Sequence, residues 1–146
     1  MNVFVDTSSL LKLYYKEENT TELESFFSKA QIRTVYLSEI TKIEFASALW
    51  RKVRANHISA EQANITLQLF ENDFDNYTFI VTNNLIIEKA RLLLSKYGLQ
   101  GLRTLDSIQL STAVSLTSKA DTFITSDALL NTFFEKENLN TKIDIR

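Results

Sequence analysis

The sequence contains no cysteine, no proline and only two glycines. Without cysteine, disulfides and thiolate zinc sites are excluded, and a reducing compartment is allowed. The scarcity of glycine and proline disfavours glycine-rich phosphate loops and long linkers. These absences favour a compact chain of helices and strands joined by short turns.

Strong charge and long apolar runs are also missing. The 16 basic and 18 acidic residues give a net charge of -2, so the overall field gives no reason to attract nucleic acid. No apolar run approaches the ~20 residues of a membrane span, and the N-terminus does not read as a charged leader followed by an apolar core. We expect a cytoplasmic protein without a membrane anchor, folded as one domain over residues 1–146.

The pattern of apolar residues predicts an α/β sandwich. Short runs rich in β-branched and aromatic residues predict strands at residues 2–6, 34–38, 77–82, 122–125 and 142–145. Segments with helical periodicity lie between them, and Gly98 is placed to end one helix in the left-handed conformation. This alternation predicts a central, mainly parallel sheet of about five strands flanked by helices.

Four carboxylates stand in segments that otherwise predict burial, namely Asp6, Glu44, Asp106 and Asp127. Carboxylates that gather near a core need a compensating cation, which could be Lys, Arg or a metal. Hard oxygen ligands favour Mg²⁺ or Mn²⁺. Helix capping is the competing explanation, because Asp6, Asp106 and Asp127 each precede a predicted helix and Glu44 has capping-box spacing from Thr41. Spacing alone does not decide between the two.

The wider sequence around these acids carries a resemblance. VDTSSLLKLYYKE, SEITKIEFASALWR, LRTLDSIQLSTA and FITSDALL occur in this order and span nearly the whole chain. Together they resemble the PIN-domain ribonucleases, above all the small VapC-type toxins of toxin–antitoxin pairs. The resemblance implies a PIN-like three-layer sandwich. It also implies that Asp6, Glu44, Asp106 and Asp127 are the catalytic and metal-binding residues, with Thr7 or Ser8 supporting Asp6 or a metal-bound water.

The activity that this resemblance implies is a Mg²⁺- or Mn²⁺-dependent endoribonuclease, the toxin of a toxin–antitoxin pair. Water activated by one or two ions would cleave RNA phosphodiester bonds and leave 5′-phosphate and 3′-hydroxyl ends. The implied partners are the RNA substrate, a cognate antitoxin whose tail occupies the acidic cleft, and commonly a second copy of the chain. One departure lies after Asp127, where many relatives carry another polar or acidic residue and this chain has Ala128, Leu129 and Leu130.

Contacts with RNA would have to come from local basic residues. Arg51, Lys52 and Arg54 form the densest basic group, and Arg103 precedes Asp106 by three residues. The first three could instead be a solvated helix end that complements the helix dipole. Arg103 could pair with the acidic cluster or contact a phosphate.

Other functions fit parts of the sequence. Arg51 and His57 have the R-x₅-H spacing of the metal-independent HEPN ribonucleases, which are all-helical. His57 is the only histidine, so a ribonuclease with two catalytic histidines is excluded. A phosphatase of the haloacid-dehalogenase type would need an acid at position 8, where the chain has Ser8. A catalytically silent PIN-like module that binds RNA or protein is a further alternative.

Overall fold

The computed structural model describes residues 1–15 and 20–143. In chain order its elements are β1 (Asn2–Val5), α1 (Thr7–Tyr14), α2 (Thr20–Lys29), β2 (Thr34–Ser38), α3 (Thr41–Arg54), α4 (Ala60–Asn72), β3 (Thr78–Ile80), α5 (Asn84–Tyr97), α6 (Thr104–Ser115), β4 (Thr122–Ile124) and α7 (Ala128–Lys136). None of these helices is both long and apolar enough to cross a bilayer.

The four strands form one sheet in the order β3-β2-β1-β4, and all three pairings are parallel. The prediction of a mainly parallel sheet is therefore confirmed, with four strands in the described residues instead of about five. Of the strand expected at residues 142–145, Lys142 and Ile143 are not in a strand, and the other two residues lie outside the described ranges. Parallel pairing places the carboxyl ends of all four strands at one edge of the sheet.

Helices cover both faces of the sheet and give the predicted three layers. Alternate residues of β1 face opposite sides, as the two-residue period of a strand requires. Val3 and Val5 pack into a core with residues of α1, α2, α3 and α4. Phe4 packs into a second core with residues of α5, α6 and α7. Because β1 is buried on both faces, it holds the residue that follows it firmly in place.

Two helix ends differ from the sequence prediction. Thr41 is the first residue of α3 and not its cap, since the preceding Ile40 holds the cap position without a side-chain bond. The capping box with Glu44 is therefore wrong. Gly98 has a φ of -56° and begins a short 3₁₀ turn, and it is Gly101, with a φ of 102°, that takes the left-handed conformation. The extra turn moves the chain reversal by three residues.

Candidate functional site

The four predicted acids line a single cleft of about 390 Å³ at the carboxyl edge of the sheet, as do Thr7 and Ser8. Four different segments deliver the acids. Asp6 directly follows β1, Asp127 follows β4 by three residues, Glu44 lies on α3 and Asp106 on α6. Ligand sites in open parallel sheets form at this edge, so the cleft has the position that the fold favours for a functional site.

Asp6 is both a helix cap and a buried acid. Its Oδ1 accepts hydrogen bonds from Ser8 Oγ at 2.7 Å and from the Ser9 amide at 3.3 Å, which caps α1. The side chain is only 4% exposed. Burial raises the pKa of Asp6 from its ordinary 3.8 to about 7, although hydrogen bonds from Ser8 and Thr125 oppose this rise. The nearby charge of Glu44 raises the pKa slightly further.

Asp127 also caps a helix, because its Oδ1 accepts a hydrogen bond from the Leu130 amide of α7 at 2.9 Å. Its own amide donates to Thr125 Oγ1 at 3.1 Å, which fixes the turn after β4. Its side chain is exposed at the cleft. Capping thus explains the local placement of Asp6 and Asp127 without excluding a second role.

Capping does not explain Glu44 or Asp106. Glu44 Oε1 accepts hydrogen bonds from Thr7 Oγ1 at 2.9 Å and from Gln109 Nε2 at 2.7 Å, and neither donor belongs to the start of α3. The helix that carries Asp106 begins two residues before it, so Asp106 is not the cap that was predicted. Both side chains are half-buried.

Acids that are neighbours in the cleft repel one another. Burial raises the pKa of Glu44, and the charge of Asp106 raises it further. Burial likewise raises the pKa of Asp106, with a contribution from Asp127 and a partial offset from Arg103. Asp6, Glu44 and Asp106 therefore each have an acidic neighbour whose charge raises the pKa.

Neutralising side chains are scarce at this cleft. The salt bridges within residues 1–15 and 20–143 are Arg91–Glu88 and Lys96–Glu137, and neither reaches the cleft acids. An all-oxygen, anionic and partly buried donor set fits the chemistry of Mg²⁺ or Mn²⁺. In this same part of the chain no three acidic side chains are already arranged to hold an ion. The donor types fit such a cation, and its coordination would require the side chains to turn toward it.

Gln109 and Thr41 belong to the site but were not predicted from the sequence. Gln109 Nε2 lies 3.2 Å from Thr7 Oγ1 and 3.1 Å from Thr41 Oγ1, in addition to its bond with Glu44. Both Gln109 and Thr41 are fully buried. The available signal was an amide side chain one helical turn after Asp106, placed between the apolar residues Ile108 and Leu110.

The basic residues predicted to contact RNA lie at different distances from the acidic cleft. Arg51 lines the acidic cleft and also a second cavity of about 320 Å³, which Lys52 and His57 line as well. Arg54 is exposed and lines neither cavity. Arg103 holds the cap position of α6 and makes no salt bridge with Asp106 among the described residues. The all-helical HEPN alternative for Arg51 and His57 is wrong, because the chain is built on a parallel sheet.

Comparisons with known proteins agree with this architecture. The PIN domain family model matches residues 3–133 of the chain. Among solved structures, the crystal structure of VapBC2 from Rickettsia felis bound to a DNA fragment from their promoter has a similar fold. The TM-score is 0.65 at 17% sequence identity, and the match covers 97% of this chain and 98% of that chain. No curated protein sequence matches the chain.

Proposed function

Because the chain belongs to the PIN-domain family, we propose that it is a Mg²⁺- or Mn²⁺-dependent endoribonuclease that acts in the cytoplasm. One observation carries this proposal. Acids from four separate segments line one cleft, and two of them, Glu44 and Asp106, have no capping role that would explain their presence. Half-buried acids that repel one another lower the stability of the fold. Their presence at this cost indicates that their charge has a function.

The cation would be held by Asp6, Asp106, Asp127 and Oε2 of Glu44, the oxygen of that carboxylate that accepts no hydrogen bond from residues 1–15 or 20–143. When bound, it would supply the acidification of a water molecule and the neutralisation of charge on the RNA phosphate. The side chains around the cleft would keep the ligands in place. Ser8 holds Asp6 through a 2.7 Å hydrogen bond, and Thr7 holds Glu44 through one of 2.9 Å. These two hydroxyls are the supporting groups of the site.

RNA would lie along the face of α3 that carries Glu44. Glu44, Ala48 and Arg51 follow at helical spacing and all line the cleft, so Arg51 stands about two turns from Glu44. Arg51 continues into the second cavity beside Lys52, which makes it the best-placed residue to contact a phosphate next to the cleaved one. Arg103 would approach the phosphate from α6, since its charge already acts on Asp106. Arg54 would contribute only long-range attraction.

We further propose that the chain is the toxin of a toxin–antitoxin pair, with an antitoxin protein and a second copy of the chain as partners. The resemblance to VapC-type toxins and the fold shared with VapBC2 support this. The rim of the cleft adds a physical reason, because Ile43 is 72% exposed and Leu105 51% exposed beside the acids. A partner segment with basic and apolar side chains would suit such a surface.

A silent PIN-like module that binds RNA or protein without cutting is the second candidate. It is favoured by the absence, in the described residues, of a group of three acids already arranged around an ion. The two candidates differ in one measurable property, which is cleavage.

The experiment is cleavage of an end-labelled single-stranded RNA with millimolar Mn²⁺ or with EDTA. We expect cleavage by the wild type only in the presence of Mn²⁺, and cleavage by Asp106→Asn that is slower by about 100-fold or more. Asp75→Asn is the matched control, because it removes an exposed carboxylate that does not line the cleft. RNA that binds but stays intact under all conditions would favour the silent module. Equal cleavage by Asp106→Asn would refute the proposed function.

A further inference from the structure

Gln109 makes an unusual set of contacts for a buried amide. It lies on α6 one turn after Asp106 and is 1% exposed. Its Nε2 has three oxygens within 3.2 Å, of which Glu44 Oε1 is nearest at 2.7 Å. Its own carbonyl oxygen, Oε1, is buried and has no hydrogen-bond partner in the part of the chain that the structure describes. One end of the amide is thus heavily engaged while the other is unsatisfied.

The orientation of this amide depends on the charge of Glu44. A half-turn of the amide group would let its carbonyl oxygen accept hydrogen bonds from the hydroxyls of Thr7 and Thr41. The same half-turn would place that oxygen against Glu44 Oε1, and an ionised carboxylate has no proton to donate. The observed orientation leaves a buried carbonyl unpaired, which is unfavourable, and delivers an N–H to the carboxylate. The hydrogen bond to Glu44 therefore determines the orientation of the Gln109 side-chain amide.

The contact also links two acid-bearing helices. Gln109 and Asp106 share one face of α6, and Glu44 is on α3. Thr7 Oγ1 binds the same Glu44 oxygen from the start of α1. Both donors act on Oε1, so Oε2 carries no hydrogen bond within the described residues. Oε2 is therefore the oxygen of Glu44 that these two donors leave free.

We propose that Gln109 is a positioning residue that fixes Oε1 of Glu44, so that Oε2 is the oxygen presented to a divalent cation in the cleft. This inference rests on the proposed function. Groups that orient metal ligands in this way typically contribute 10- to 100-fold to metal affinity or activity, which is about the effect expected here. Gln109 itself does not touch the cation or the RNA.

The test measures Mn²⁺ binding by isothermal titration calorimetry, without RNA. Gln109→Met keeps the length of the side chain and removes the donor. We expect it to raise the Mn²⁺ dissociation constant about 10-fold. Ser111→Ala is the matched control, because it removes a buried hydrogen bond of α6 to the Ile86 carbonyl without touching the cleft. It should leave the constant within about twofold of the wild type, as expected for independent sites.

A double variant shows whether the effect passes through Glu44. In the Glu44→Gln background, Gln109→Met should change the dissociation constant by no more than about twofold, because the carboxylate that it positions is gone. An unchanged constant in Gln109→Met alone, or the same 10-fold loss with and without Glu44, would overturn the proposal.

A second measurement covers the case in which Gln109→Met does not fold. In ¹⁵N-labelled wild type in EDTA, the side-chain amide protons of Gln109 should exchange slowly with water, and their resonances should shift in Glu44→Gln. Fast exchange, as for an exposed glutamine, would refute the contact. A wild type that takes up no Mn²⁺ would refute the proposed function, and the amide resonances would still decide whether Gln109 fixes Glu44.

Discussion

Replacing Asp6 with asparagine should stabilise the metal-free protein in a pH-dependent way. Asparagine is as good a helix cap as aspartate, so α1 keeps its cap. The substitution removes a buried carboxylate whose pKa burial raises to about 7. It therefore isolates the cost of that charge from the geometry of the site.

The sign and size of the effect of Asp6 on the free energy of unfolding follow from proton linkage. An acid with a raised pKa in the folded state holds a proton that the unfolded chain has already lost, between its ordinary pKa of 3.8 and about 7. The contribution of Asp6 to stability is thus present at low pH and is lost as the pH rises through this window. Over the two units from pH 5 to pH 7 the loss is roughly 3 kcal/mol, at about 1.4 kcal/mol per unit.

Glu44 and Asp106, whose pKa values are also raised, add to the same slope in both proteins. The relevant quantity is therefore the difference between wild type and Asp6→Asn. Urea unfolding in EDTA at pH 5 and at pH 8 measures it. We expect Asp6→Asn to gain roughly 3 kcal/mol relative to wild type between the two pH values.

The exposed control Asp75→Asn, which lies outside the cleft, should behave alike at the two pH values relative to wild type. If Asp6→Asn changed the free energy of unfolding equally at pH 5 and pH 8, the view of Asp6 as a buried and electrostatically costly acid would be wrong.

Further outcomes are expected from the same structure. Mn²⁺ at 100 times its dissociation constant should raise the free energy of unfolding by about 2.7 kcal/mol, measured by thermal or urea unfolding, and this gain should vanish in Asp106→Asn. Asp106→Asn should also lower kcat by about 100-fold or more while circular dichroism shows an intact fold, because no cap is lost. His57→Ala should leave kcat unchanged, because His57 does not line the acidic cleft, and a large loss would show that the four acids are not the whole catalytic set. Arg51→Ala should raise KM for RNA and reduce the salt dependence of RNA binding by about one unit of slope, whereas an unchanged slope would exclude Arg51 from phosphate contact.

The sequence was sufficient to predict a mainly parallel sheet, and its family resemblance was needed to place all four acids in one site. The buried run that ends at Asp6 and the run that precedes Asp127 read as strands, and parallel strands bring their carboxyl ends together. The polar residues after each strand were therefore expected at one edge. The parallel direction of the strands was predicted from the alternation of strands and helices, and the strand order was not predicted.

The exact first residue of each helix could not be predicted from the sequence, and it decides whether an acid caps the helix or lies in its first turn. A shift of two residues in the start of α6 moves Asp106 from the cap into the first turn. Glu44 likewise finds its partners on α1 and α6, which are distant in the chain. Gln109 was not predicted because its partner Glu44 lies 65 residues away in the sequence, and the local pattern around Gln109 does not show that the two side chains meet.

The central claim is that these acids bind a divalent cation together, and crystals grown with Mn²⁺ test it most directly. An anomalous difference map collected for manganese should show a peak in the cleft within coordination distance of the carboxylates of Asp6 and Asp106. A well-defined cleft without a manganese peak at millimolar Mn²⁺, or a peak only elsewhere on the protein, would contradict the claim.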